Sequence, residues 1–89
     1  MNGDEQLEAL RARITELDRA IFELVNQRLE LVRELKQVKD DHDLPFVDPN
    51  REASMIDERV AENQGPLSSD GLRSFYVSLL ALVKRELEA

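Results

Sequence analysis

The fold is decided by residues 7–38, which read LEALRARITELDRAIFELVNQRLELVRELKQV. Apolar side chains recur there in steps of three and four, which places them on one face of an α-helix. No proline or glycine interrupts the stretch and good helix formers dominate it, so we predict one helix from about Asp4 to about Asp40. The apolar positions, called the seam below, are Leu7, Leu10, Ile14, Leu17, Ile21, Leu24, Leu31, Leu35 and Val38.

The length of this helix indicates a partner. Some 35 residues make a helix of roughly 50 Å, whereas a compact chain of 89 residues has a radius of gyration of only about 12 Å. The helix must extend beyond the rest of its own chain, and its exposed apolar face needs cover. We therefore expect a second copy of the protein to supply that cover, in an intertwined helical homodimer.

Two shorter helices follow the long one. Asp48 can cap a second helix that has Pro49 at its first position and runs to about Asn63, where Asn63-Gln64-Gly65-Pro66 ends it. Ser68 or Ser69 caps a third, whose apolar stripe is Leu72, Phe75, Tyr76, Leu79, Leu80, Leu82, Val83 and Leu87. The predicted fold is all-α, with long, short and medium helices in a single domain over residues 1–89.

Composition excludes several classes of function. The chain has no cysteine and one histidine, so it lacks the parts of a thiolate or histidine metal site, and we expect no metal and no cofactor. A net charge of −7 disfavours nucleic acid as a partner. Neither a membrane span nor a signal-peptide pattern is found, so we expect a cytoplasmic protein without membrane contact.

Arg28 is the one charged residue in the seam. A guanidinium on an apolar face is costly unless an anion meets it, although a nearby Glu or solvent could serve. Lys39 lies eleven residues further on and shares the same helix face, roughly 16 Å along the axis. Two long cationic side chains leaning inward could hold one small dianion, or Lys39 could be a solvated helix end.

Arg11 lies seventeen residues before Arg28, roughly 25 Å along the helix. It cannot reach the same small ligand within one chain, but it can in an antiparallel dimer whose long helices cross near Ala20. Taken alone, Arg11 would be ordinary surface charge. The dimer predicts two identical sites, each built from both chains.

Polar residues open the second helix: Asp48, Arg51 and Glu52. They could be a cap and first-turn charges, or acids that meet a ligand hydroxyl beside the cations. No cysteine, Ser-His pair or metal cluster accompanies them, so covalent and metal-assisted chemistry lack their parts.

These residues resemble a known family, the all-helical class of chorismate mutases, from Leu7 to Leu87. The resemblance lies in Leu10-Arg11-x-x-Ile14-x-x-Leu17-Asp18, Arg28, Val38-Lys39 and Asp48-x-x-Arg51-Glu52. The Asp48–Glu52 segment, followed by Glu62-Asn63-Gln64-Gly65-Pro66, looks especially like mutase domains fused to the first enzyme of the shikimate pathway.

The resemblance implies that chorismate is rearranged to prephenate, a unimolecular Claisen-type reaction without proton transfer or covalent intermediate. Arg11 from the partner chain and Arg28 would clamp the two substrate carboxylates, and Lys39 would face the ether oxygen and a carboxylate. Glu52 would accept a hydrogen bond from the substrate hydroxyl, with help from the Asp48 region, while Arg51 would support the edge of the site. A second shikimate-pathway enzyme is a further expected partner.

The third helix departs from the family pattern. Polar residues usually face the substrate there, but ungapped alignment puts Val83 and Leu87 at those positions, and neither donates a hydrogen bond. Glu86 or Glu88 could substitute after a small rotation of the helix. Three alternatives stay open. The first is a homodimeric, cofactor-free chorismate mutase, whose activity would be reduced without that donor. The second is a non-catalytic domain that binds chorismate or prephenate and regulates another enzyme, and the third is a dimerisation module without ligand in which Arg28 only fixes the helix register.

Overall fold

A computed structural model describes residues 2–88 of the chain and places them in three α-helices. Helix α1 is Gly3–Asp41, α2 is Pro49–Glu62 and α3 is Ser69–Glu88, and residues 2–88 contain no strand. The all-α prediction of long, short and medium helices is confirmed. The ends of the predicted domain, Met1 and Ala89, lie outside the described residues. The single domain and the homodimer stay predictions.

The chain divides into two units, the first ending at Val32 and the second beginning at Arg33. The first unit consists of helix α1 up to that point. Its start differs from the prediction, because Asn2 rather than Asp4 caps the helix: the Asn2 Oδ1 atom accepts a 2.8 Å hydrogen bond from the Glu5 backbone N–H. Asn and Asp cap equally well, and Asp4 instead lies in the first turn, where its charge favours the helix dipole.

The seam is uncovered along its whole length. The exposed fraction of its nine residues ranges from 48 % at Ile21 to 65 % at Leu31. Large apolar side chains aligned on one helix face rarely stay in water in a soluble monomer. Within a single chain, the apolar seam predicted from the periodicity therefore stays exposed.

Helix α1 ends in the second unit, in a turn that the sequence pattern did not predict. Asp43 has a positive φ of 55°, the Leu44 N–H bonds the Lys39 carbonyl at 2.8 Å, and the Asp43 N–H bonds the Asp40 carbonyl at 3.3 Å. This is the Schellman arrangement, in which the left-handed residue is usually Gly and here is Asp. Helix α1 therefore ends in a defined hydrogen-bonded turn, in addition to the unfavourable clustering of acidic residues at its C-terminus.

Helix α2 begins and ends with capping groups. Asp48 is its N-cap and Pro49 follows at the first position, as predicted. At the other end Asn63 is the C-cap, so α2 stops one residue before the predicted end. Arg59 lies in the last turn, and its hydrogen bond to Glu62, together with the charge of that carboxylate, raises the pKa of Arg59.

Helices α2 and α3 pack antiparallel, because residues early in α2 contact residues late in α3. Glu52 contacts Lys84, Met55 contacts Tyr76, and Asp57 contacts Arg73. Ser68 caps α3 by accepting a 3.0 Å hydrogen bond from the Gly71 N–H, which selects it over Ser69.

The apolar stripe of α3 is partly buried in this hairpin. Val83 is buried, with 4 % of its surface exposed, and Leu72, Leu80 and Leu87 are half-buried. Phe75 is an exception, because the sequence spacing predicts it in the stripe but 57 % of its surface is exposed. Among residues 2–88, no helix combines the length and apolar character needed to cross a membrane.

Candidate active site

Lys39 is held at both ends where α1 meets the link to α2. Its backbone carbonyl accepts the hydrogen bond from the Leu44 N–H described above. Its Nζ atom donates a part-buried hydrogen bond of 3.1 Å to the Phe46 carbonyl. The Lys39 side chain therefore has a defined position and does not simply extend into solvent at the helix end. The neighbouring Lys36 lies 5.8 Å from the Phe46 ring centroid and 3.6 Å from the Asp40 carboxylate.

Asp48, Arg51 and Glu52 are brought together by the cap of α2. The Asp48 Oδ1 atom accepts from the Arg51 N–H at 3.1 Å, and its backbone carbonyl accepts from the Glu52 N–H at 3.0 Å. Asp48 and Arg51 are exposed, whereas Glu52 is half-buried. The cap thus explains the spacing of the first two residues, and it presents Glu52 at the α2–α3 boundary.

Glu52 meets a cation that sequence reasoning missed. The Lys84 Nζ atom lies 2.6 Å from the Glu52 Oε1 atom, and the two side chains are 35 % and 19 % exposed. A signal for Lys84 was present in the sequence. Tyr76, Leu80 and Lys84 follow one another at intervals of four, so Lys84 is a cation on the apolar stripe of α3, just as Arg28 is a cation in the seam.

Arg11 and Arg28 both belong to the first unit, and the helix keeps them apart. Seventeen residues separate them, or roughly 25 Å along the axis. Arg28 is half-buried, whereas Arg11 is exposed and its guanidinium contacts the Glu8 carboxylate of the preceding turn at 3.0 Å. A single chain therefore cannot direct these two guanidinium groups at one small ligand.

Val83 and Leu87 offer no polar group. Val83 is the one buried hydrophobic residue among those described, so it fills the space between elements, and Leu87 is half-buried. Lys84 lies between these two positions on α3 and is the residue there that carries a hydrogen-bond donor to α2.

The charged side chains of this region offer electrostatic chemistry. The residues described contain no group of three or more His, Cys, Asp or Glu side chains able to hold a metal ion. Fixed cations and a carboxylate can bind a small dianion that also carries a hydroxyl, and they can stabilise negative charge that develops in a transition state. The fold is that of an all-helical protein with half-buried cations and a half-buried carboxylate on its helices.

Comparison with known proteins gives the family. Residues 10–88 match the profile of chorismate mutase type II, which is nearly the whole chain. The chain therefore belongs to the chorismate mutase type II family.

Curated relatives support this assignment, and in each of them the match covers most of this chain but only a small part of the relative. The T-protein of Haemophilus influenzae is 42 % identical over 80 residues, which are 84 % of this chain and 21 % of that protein. The bifunctional chorismate mutase/prephenate dehydratase of Stutzerimonas stutzeri is 29 % identical over 86 residues, or 91 % of this chain and 24 % of that protein. The chain thus spans about a quarter or less of these relatives.

A solved structure matches over almost its full length. The structure of chorismate mutase (form I) from Thermus thermophilus has a TM-score of 0.86 and 29 % identity, and the match covers 88 % of this chain and 98 % of that one. Form II of the same protein has a TM-score of 0.89. The fold of this chain is therefore similar to that of a solved chorismate mutase.

Proposed function

We propose that this chain, residues 1–89, is a single mutase domain that rearranges chorismate to prephenate. The observation that carries the proposal is the family match over residues 10–88, in a chain that keeps Arg11, Arg28, Lys39 and Glu52 in the order the family resemblance requires. The near-complete overlap with the Thermus thermophilus mutase supports the view that a chain of this size suffices for the activity.

Catalysis of this reaction has two requirements. The flexible substrate must be held in its reactive folded conformer, and the negative charge that builds on the ether oxygen must be met by a fixed donor. In the proposed pocket, Arg11 and Arg28 bind the two carboxylates and Lys39 faces the ether oxygen. Glu52, beside Asp48, accepts a hydrogen bond from the substrate hydroxyl. Arg51 supports the edge of the pocket.

We propose that two copies assemble this pocket. The uncovered seam supports the dimer energetically, because covering the exposed half of an apolar side chain is worth about 1 kcal/mol. Two seams brought together give on the order of 10–20 kcal/mol, enough to offset an association cost of about 4–15 kcal/mol. Antiparallel helices that cross near Ala20 bring Arg11 of one copy beside Arg28 of the other, which the length of α1 forbids within one copy.

A second candidate function is favoured by Val83 and Leu87. Loss of a donor to the ether oxygen costs on the order of 100-fold in rate or more. A domain without that donor could bind chorismate or prephenate and regulate another enzyme instead of turning the substrate over. The pairing of mutase and prephenate dehydratase in one Stutzerimonas stutzeri relative supports a second pathway enzyme as a partner.

The partner enzyme that the sequence favours is the first enzyme of the shikimate pathway, and the cytoplasm is the proposed location. The relatives described above do not include that enzyme, so the association rests on the Asp48–Glu52 and Glu62–Pro66 segments alone.

The test is the loss of chorismate absorbance after mixing with purified protein, with Arg28→Ala as the inactive comparison and Arg13→Ala as a surface control. Turnover that Arg28→Ala abolishes and Arg13→Ala retains supports the mutase. Saturable binding of chorismate without turnover supports the regulatory domain. Absence of both turnover and binding contradicts both functions and leaves a dimerisation module.

A further inference from the structure

Among residues 2–88, two ion pairs join α2 to α3, and they differ in their surroundings. The Asp57–Arg73 pair has a separation of 3.0 Å and exposed fractions of 70 % and 48 % for its side chains. The Glu52–Lys84 pair is closer, at 2.6 Å, and its side chains are only 19 % and 35 % exposed. Exposed pairs contribute little to stability, whereas a shielded pair keeps both partners in one arrangement.

The shielded pair includes a residue of the proposed pocket. Lys84 contacts the Oε1 atom of Glu52. An ionised carboxylate has two oxygens and about four acceptor positions, so Glu52 can keep this contact and still accept a hydrogen bond from a ligand hydroxyl. Lys84 thereby restricts Glu52, a long side chain with several rotamers, without using up its acceptor capacity.

The charge of Lys84 also matters beside a dianion. A carboxylate that faces a ligand with two negative charges repels it, and the repulsion grows as water is excluded. The Lys84 ammonium 2.6 Å from the carboxylate offsets the charge of Glu52, so that Glu52 can approach the hydroxyl without weakening the hold on the carboxylates.

We propose that Lys84 is a positioning residue for the mutase reaction: it fixes and neutralises Glu52 so that this carboxylate recognises the hydroxyl of chorismate. The inference rests on the proposed function and adds to it a residue on α3, where the polar residues usual in the family are replaced by Val83 and Leu87. In this chain, α3 acts on the substrate through Glu52.

The experiment compares Lys84→Met, Lys84→Arg and the matched control Arg73→Met, which breaks the exposed pair between the same two helices. Values of kcat and KM are measured for chorismate and for an analogue in which hydrogen replaces the hydroxyl. Circular dichroism verifies that each variant is helical.

We expect Lys84→Met to lower kcat/KM for chorismate about 10- to 100-fold, the range for loss of a hydrogen bond to a charged group. Lys84→Arg should restore most of this loss, and Arg73→Met should stay within about 3-fold of the native protein. For the analogue, Lys84→Met should lose clearly less than it does with chorismate, because the uncompensated charge of Glu52 still repels the dianion but no hydroxyl contact is left to lose.

The inference is overturned if Lys84→Met is no worse than Arg73→Met, or if it loses as much with the analogue as with chorismate. Either result with an active native protein leaves the proposed function intact. A native protein without turnover overturns the mutase proposal and this inference together.

Discussion

The Nζ atom of Lys39 donates a hydrogen bond to the carbonyl oxygen of Phe46, 3.1 Å away and seven residues further along the chain. The contact joins the last turn of α1 to the link that leads into α2. Asp43 makes it possible, because its left-handed backbone turns the chain back so that Phe46 passes the helix end. The cation proposed to face the ether oxygen is thus positioned by the turn that ends its own helix.

Replacement of Lys39 by Met should lower kcat by about 100-fold or more, since it removes the positive charge proposed to face the ether oxygen. The matched control is Lys36→Met, which removes a cation that also lies near Phe46 but is not a predicted site residue. Steady-state kinetics with chorismate measure both variants. Equal losses for Lys36→Met and Lys39→Met would show that the positive charge of this region, rather than Lys39, is what matters.

Replacement of Asp48 by Ala should lower the free energy of unfolding by about 1 kcal/mol, because the Arg51 N–H loses its acceptor at the start of α2. In a small domain that corresponds to a fall in Tm of about 4–8 °C. Asp48→Asn keeps an acceptor at the cap and should retain most of the stability. Thermal unfolding followed by circular dichroism measures all three proteins, and equal Tm values would contradict the capping role.

Replacement of Leu87 by Gln should raise kcat, by on the order of 10-fold, if Leu87 occupies the position where a donor to the ether oxygen usually stands. Glu86→Gln is the control, because it changes a neighbouring residue by a similar amount. An unchanged rate for Leu87→Gln would mean that another residue already serves the ether oxygen or that α3 is aligned differently. A gain confined to Glu86→Gln would assign the position to Glu86 instead.

Much of the fold could be predicted because local signals agreed. The periodic seam predicted α1, and the Asp48-Pro49 pair predicted the start of α2, since a cap and a first-turn proline depend only on neighbouring residues. The sequence pattern favours Asp4 as the cap of α1, but Asn2 caps equally well and lies two residues earlier. The left-handed Asp43 was not predictable from propensity, because Asp adopts that conformation only in particular contexts.

The site was less accessible from sequence than the helices. Cations in unexpected places were informative: Arg28 in the seam and Lys39 on the same face indicated an anionic ligand from sequence alone. Lys84 carried the same kind of signal on α3, but its partner Glu52 is 32 residues away, and the register of α2 against α3 is a tertiary property. Periodicity assigns a residue to a face but cannot name what lies opposite.

In the proposed dimer, each pocket contains Arg11 of one copy and Arg28 of the other. Arg11→Ala and Arg28→Ala should each be inactive as homodimers that remain helical. A heterodimer of the two variants, coexpressed and purified through two different tags, contains one pocket with both arginines and one with neither. We expect about half of the native activity per heterodimer. A heterodimer as inactive as its parents, or a protein that purifies only as a monomer, would contradict it.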